Sequence, residues 1–215
     1  MGMVIMAFRY LVYVSDRKID MLLPQLDAGA TRQRKWEIGF DLKLLKAKAT
    51  DEPRAGADRV TRLERVVRWL HDHGDLGTVD NPGQFVWGLM PLRWGPMIGQ
   101  DGHSMIYLGG RDEKTVVGLG GSREHVFGLP GQEAGQGSPL SRSMLPSLLQ
   151  AITPPGHGTG VDGDEDALAA VHAASTGLRG PAQNMEFIAK RLLQGPGPDG
   201  TVVLLGSPLY VALVD

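Results

Sequence analysis

The sequence predicts an α+β fold: a mainly antiparallel sheet of about five to seven strands with helices packed on one face. Three observations lead there. Residues 85–128 hold three apolar, β-rich runs in succession, FVWGLMPLRWGPM, SMIYLGG and TVVGLGGSREHVFG, joined by turn-length segments as in a meander. Helical periodicity is concentrated elsewhere, at residues 58–73 and again after residue 164. The chain also finishes on a fully apolar run, TVVLLGSPLYVALVD, which needs cover on both faces. At 215 residues, with 42% hydrophobic and 21% charged side chains, the chain can bury one sizeable core, so a single domain over residues 1–215 is expected.

Residues 8–15 (FRYLVYVS) are aromatic and β-branched and read as a central strand. They run into DRKID, a charged corner, and then MLLPQL, a short helix or turn limited by Pro24. Phe40, Leu42 and Leu44 alternate with Asp41 and Lys43, arguing for a half-buried strand, although Leu45 leaves a helix open. Asp58 reads as an N-cap for a helix whose Val60, Leu63, Val66, Val67 and Leu70 share one face. Gly74 ends that helix, with His71 and His73 in its last turn. After the meander, residues 129–143 are a Gly/Pro/Ser-rich loop and residues 143–152 a short helix. ALAAVHAAS forms a further helix behind an acidic start. Residues 183–193 (QNMEFIAKRLL) read as the last helix, with Met185, Ile188, Ala189 and Leu192 apolar and Gln183, Glu186 and Lys190 along its polar side. The C-terminal run is then two short strands, or one strand bent at Gly206 and Pro208, beside the first strand in the middle of the sheet.

Composition excludes several function classes. A formal net charge of −2 supplies no basic footprint, so no nucleic-acid partner is expected. The absence of cysteine removes disulfides, thiolate metal sites and a cysteine nucleophile together, and it suits a cytoplasmic location. The apolar N-terminus is interrupted by Arg9, and no run approaches the roughly 20 apolar residues needed to cross a bilayer, so no membrane partner is expected.

Most chemical motifs fail on inspection. Gly118 and Gly120 begin a dinucleotide-like loop, but Arg123 stands where its third glycine belongs. No Walker A loop occurs, and neither Ser122 nor Ser207 has glycine two residues to each side, as a hydrolase elbow requires. Asp162, Asp164 and Asp166 imitate a calcium loop, but Ala167 and Ala173 replace its glycine and bidentate glutamate. His71 and His73 diverge by about 200° on a helix and cannot share a metal. No metal site is expected.

The meander remains the best site candidate, because glycine recurs where strands normally carry side chains and so admits a bend, a ligand or another backbone. Gly109, Gly110, Gly120, Gly121, Ser122 and Arg123 are candidate ligand contacts, the last four as a loose anion nest with His125 nearby; the alternative is a tight β-bend. Lys18 and Trp94 are added as binding candidates. Trp87 and Trp94 are expected in the core, an aromatic wall for a planar ligand being the alternative. Asp16, Asp20, His103 and His125 are the acid–base candidates, the ordinary role of the first two, with Lys18, being to cap a turn. His103 and His125 are expected at opposite ends of the sheet, which argues against a joint site.

These features suggest a cytoplasmic small-molecule-binding or sensor domain for a small anionic or planar ligand, with cofactor and oligomeric state undetermined. A hydrolase- or transferase-type enzyme using an Asp/His site is the alternative, and a protein-interaction scaffold is a third reading.

The blocks YVSDRKIDMLLPQ, HGDLGTVD, MPLRWGPM, YLGG, VVGLGGSREHVFG and LLGSPLYVALVD resemble those of an uncharacterised family of bacterial hypothetical proteins. The resemblance covers most of the chain. Leu92 stands where methionine is expected in the MPLRWG block, a change that conserves volume. The segments 129–142 and 153–164 are peculiar to this chain. The family implies no activity and assigns no catalytic residue.

Overall fold

A computed structural model describes residues 9–34, 55–98, 104–128, 152 and 163–214. The chain divides into two compact units, one of residues 1–15 and 75–215, the other of residues 16–74.

Seven strands are described in the first unit: β1 (Tyr10–Val14), β2 (Leu76–Thr78), β3 (Phe85–Ile98), β4 (Ser104–Arg111), β5 (Thr115–Ser122), β6 (Gln183–Pro196) and β7 (Val202–Leu213). The meander appears as expected, since β3 pairs antiparallel with β4, and β4 with β5. The sheet as a whole is mixed rather than mainly antiparallel, because β2 pairs parallel with β3 and β5 parallel with β7. It also closes. β6 pairs with β7 on one side and with β3 on the other, making a five-strand barrel in the order β3, β4, β5, β7, β6. Closure depends on β3 and β7 each having two partners along one edge. β3 carries β2 at Phe85 and β4 from Arg93 onward, while β7 carries β5 up to Gly206 and β1 from Tyr210.

The C-terminal run is therefore one strand beside the first, as expected, with its irregularity at Pro208 absorbed by a register shift against β6 between Ile188 and Ala189. β1 is not central: it lies at the end of the strand order. Its outer side is touched by residues past β5, through a bridge from Tyr13 to Val126 and a bond from the Phe127 amide to the Val12 carbonyl of 2.9 Å. Those contacts explain how an apolar strand can occupy that place.

The segment expected as the last helix is β6. Its apolar residues at i, i+3 and i+4 imitate a helix, but Met185 to Ala189 are buried consecutively because both faces of the strand are covered. Met185, Phe187 and Ala189 face the barrel interior with Val86, Met90, Leu92, Ile106, Leu108, Val117, Leu119, Leu204 and Val211, and Tyr13 joins them. This interior is filled by side chains. Burying each of the larger ones stabilises the fold by about 1.5–3 kcal/mol.

Outside the barrel runs α3 (Asp164–Gly177), the expected alanine-rich helix. Its Leu168 and Val171 pack with Met105, Tyr107, Val116, Val203, Leu205 and Ile152. Acidic residues at Asp164, Glu165 and Asp166 complement the positive end of its dipole.

The second unit contains α1 (Asp16–Arg34) and α2 (Ala55–His73). α1 starts at the expected charged corner and continues through Pro24, so proline does not limit it. Beside that proline, the Gln25 side-chain amide donates to the Met21 carbonyl at 2.8 Å. α2 matches the expected apolar face, with Leu63, Val66 and Leu70 buried, but begins before Asp58, which sits in its first turn rather than capping it. Asp16 pairs with Arg59 and Asp20 with Arg62, so contacts advance along both helices in the same direction and the helices run parallel. The strand expected at residues 40–44, the loop at 129–143 and all but Ile152 of the helix expected at 143–152 lie outside the described residues. No helix among the described residues is long and apolar enough to cross a membrane.

Candidate functional site

The glycines of the meander have a structural reason. A Cβ on Gly109 would lie 2.9 Å from both the Cα and the Oγ of Ser175 on α3. On Gly118 it would meet the Tyr107 hydroxyl, on Gly121 the Tyr13 hydroxyl, and on Gly110 the Pro91 carbonyl. These positions are bare so that a helix and two tyrosines can approach the strands.

The space is then used by a buried polar network. Tyr107 Oη lies 2.8 Å from Ser175 Oγ and 3.2 Å from the Val171 carbonyl, and Ser175 Oγ reaches the Val117 carbonyl at 3.2 Å. Burial raises the Tyr107 phenol far above its ordinary range, against a smaller opposing effect of the Ser175 hydrogen bond.

Gly120 and Gly121 pair with Tyr107 and Ile106 in the β4–β5 ladder, and neither has a positive φ. Their amides thus belong to a strand rather than to the alternating backbone of an anion nest. Ser122 ends β5, and Arg123 opens a short 3-10 turn, Arg123–His125. His125 is buried edge-on to the Tyr13 ring at 5.8 Å.

The acid–base candidates divide between the two units. Asp16 and Asp20 belong to the helical unit, each paired with an arginine, and Lys18 lies in the same stretch of α1. His125 belongs to the barrel unit, and His103 lies outside the described residues. Trp87 and Trp94 are exposed rather than core. Among the described residues no group of three or more potential ligands could hold a metal ion.

Two further polar clusters lie on the barrel unit. In one, Asp199 occupies the β6–β7 turn, where its Oδ1 accepts from the Thr201 hydroxyl at 2.6 Å and the Thr201 amide at 3.2 Å. Its Oδ2 lies 3.0 Å from His172 Nε2 on α3 and 3.7 Å from Arg111 Nη2 at the end of β4. The Thr201 hydroxyl, then His172 and the Thr201 amide, hold the Asp199 carboxyl far below its usual range. This cluster fastens a turn, a helix and a strand end.

The other cluster centres on Glu186, which is only 8% exposed on β6. Arg9, immediately before β1, grips it through Nη2 on Oε1 at 2.9 Å and Nε on Oε2 at 3.2 Å. Tyr210 of β7 donates its hydroxyl to Oε1 and lies 5.9 Å beneath the Arg9 guanidinium. Burial, and then the hydrogen bond and charge of Glu186, push the Tyr210 phenol strongly up, so it remains a donor. The register explains the meeting: Glu186 opposes Ala212, Ile188 opposes Tyr210, and Leu11 opposes Ala212 on the far side. On its other side Glu186 opposes Leu89, which is 51% exposed, and the next pair on that face is Trp87 with Ile188. Trp87 is 38% exposed. A desolvated carboxylate thus borders an exposed apolar strip.

In the sequence Arg9 reads as an interruption of the apolar N-terminus and Glu186 as the polar side of a helix. The available signal was an acid inside the apolar run MEFIA, which as a strand buried on both faces must find a cation.

A concavity of about 530 Å³ lies in the helical unit, lined by Leu26, Thr61, Glu64, Arg65, Arg68, Trp69, Asp72 and His73. Glu64, Arg68 and Asp72 succeed one another at i, i+4 on the exposed side of α2, the spacing of a solvated charged face. Its polar lining residues among the described ones are all exposed, so the barrel wall at Glu186 is the stronger candidate.

Among the described residues, a small closed mixed barrel with an outer helix, joined in sequence to two parallel helices, defines the class of this protein. The chain belongs to a family of unknown function, DUF7019, whose model matches residues 9–215. No curated protein and no solved structure matches it.

Proposed function

We propose that the protein is a small-molecule-binding or sensor module, cytoplasmic in location, whose ligand rests on the outer wall of the barrel against Trp87, Leu89 and the Arg9–Glu186 pair. The observation that carries this reading is the juxtaposition of a carboxylate 8% exposed with a leucine 51% exposed directly across the ladder. Burying a charge is costly, and leaving large apolar residues beside it in water gains nothing for folding; a ligand with an apolar body and a polar head makes use of both. The filled barrel interior supports an external rather than an internal site. The lack of cysteine supports the location.

Less supports the enzyme reading. Asp16 and Asp20 are occupied by arginines, and His125 is buried against Tyr13.

Native mass spectrometry of freshly purified protein, before and after denaturation, tests the proposal. The expected result is a mass excess that denaturation removes and that is absent from a folded Trp87→Ala/Leu89→Ala variant. A ligand retained equally by that variant overturns the placement, and a bare chain mass with no small molecule protecting the wall in hydrogen exchange overturns the binding reading.

A further inference from the structure

We infer that the Glu186 seat takes a guanidinium or amidinium head of a small organic ligand with a flat apolar body, and that Arg9 is the resident stand-in for that head. This inference rests on the ligand-binding reading above and names the chemistry of the same site.

The seat constrains its occupant. Both Glu186 oxygens are used by one planar group, Arg9 Nη2 on Oε1 and Arg9 Nε on Oε2, a two-point grip that an ammonium cannot reproduce. Tyr210 adds the carboxylate's third bond, donated to Oε1, but brings no positive charge. A carboxylate this buried is strongly unfavourable without a cation, so whatever replaces Arg9 must carry one. An anionic head would meet Glu186 as a like charge.

Arg9 is suited to leave. The β1–β7 ladder begins at Tyr10, so withdrawing Arg9 breaks no paired residue of the sheet, and its side chain is 49% exposed. The ligand's body would then lie on the strip beside the seat. Leu89 is the direct cross-strand neighbour of Glu186, and Trp87 stands two residues along the same face and offers a ring for stacking. Competition from Arg9, tethered next to the seat, lowers the affinity of the unaltered chain below that of a chain without it and makes binding responsive to anything that draws Arg9 away.

Isothermal titration calorimetry with benzamidine and with guanidinium, on the full chain and its variants, tests the inference. Arg9→Ala is expected to bind benzamidine at least tenfold more tightly than the unaltered chain. In that variant benzamidine is expected to bind at least fivefold more tightly than guanidinium, a preference lost on adding Trp87→Ala. Adding Glu186→Gln to Arg9→Ala is expected to abolish binding. A folded Arg9→Ala that binds benzamidine no better than the unaltered chain, or binds the two cations equally, overturns the inference and leaves Arg9 as a structural ion-pair partner. Should Arg9→Ala fail to fold, Arg9→Lys keeps the charge and loses the two-point grip; benzamidine affinity is then expected to rise, and no rise overturns the inference.

The two levels fail separately. A native ligand that lacks a cationic head, yet is lost on changing Trp87 and Leu89, removes the chemistry and leaves the site standing. A ligand unaffected by those changes removes the proposed site whatever benzamidine does.

Discussion

A side-chain carbon on Gly118 would collide with the hydroxyl of Tyr107 and stand 2.7 Å from Val171 Cγ1 on α3. Glycine there lets the helix lie against β5 and lets the tyrosine bond to Ser175 and the Val171 carbonyl.

Gly118→Ala is accordingly expected to destabilise the protein by about 1–3 kcal/mol through overpacking. Tyr107→Phe alone is expected to cost about 1–3 kcal/mol, because its removed hydroxyl leaves buried polar groups short of a partner. Together the two should cost less than their sum, since removal of the hydroxyl frees the space that the new methyl needs. Urea denaturation of the three variants measures the coupling, and strict additivity would contradict the geometry.

At the wall, Arg9→Ala is expected to cost about 1–3 kcal/mol by leaving Glu186 without its cation, the half-exposure of Arg9 keeping the loss below that of a fully buried pair. Replacing both partners, as Arg9→Ala/Glu186→Met, should recover most of that loss, because the charge that needed compensation is gone. Comparing denaturation midpoints of the single and double variants checks this.

Alkaline pH should weaken the fold through its buried phenols. Tyr107 and Tyr210 are both pushed up in the native state, so above about pH 10 the unfolded chain releases protons that the folded chain retains. Their contribution is fully present below that pH and is lost as pH rises. Unfolding free energy measured from pH 9 to 11.5 is expected to fall more steeply in the unaltered protein than in Tyr107→Phe or Tyr210→Phe.

Asp199 acts in the opposite direction. Its carboxyl is held down in the folded state, so its stabilisation is present above the ordinary carboxylate range and is lost as pH falls below about 4 toward its depressed value. Asp199→Asn should flatten the stability profile between about pH 4 and 2 while changing little of its shape near neutrality. Urea midpoints across that range provide the measurement.

Local patterns in the chain carried much of the architecture. The β3–β5 meander, α2 with buried Leu63, Val66 and Leu70, and α3 all follow from periodicity, turn residues and apolar runs that a short window contains, whereas β1 lies beside β7 as expected although it is not the central strand that the expectation rested on. β6 was illegible for a specific reason: when both faces of a strand are buried the period of two disappears, and the spacing of Met185, Ile188, Ala189 and Leu192 imitates a helix. α1 ran past Pro24 although the local rule placed a limit there.

The candidate site was legible only as ingredients. The meander glycines correctly marked close approach, but a window of sequence does not say what approaches; the answer is Ser175 of α3, 66 residues from Gly109, with Tyr107 beside Gly118 and Tyr13, 108 residues from Gly121. Arg9 and Glu186 are 177 residues apart and meet because β1 and β6 both flank β7. By itself the sequence determined an ordinary globular composition, the elements with strong local periodicity and the chemistries that lack their residues. The tertiary structure alone decided barrel closure, the parallel β5–β7 and β2–β3 pairings, and the pairing of Glu186 with Arg9, because each depends on strand partners distant in the chain, whose choice is made by global packing rather than by local preference.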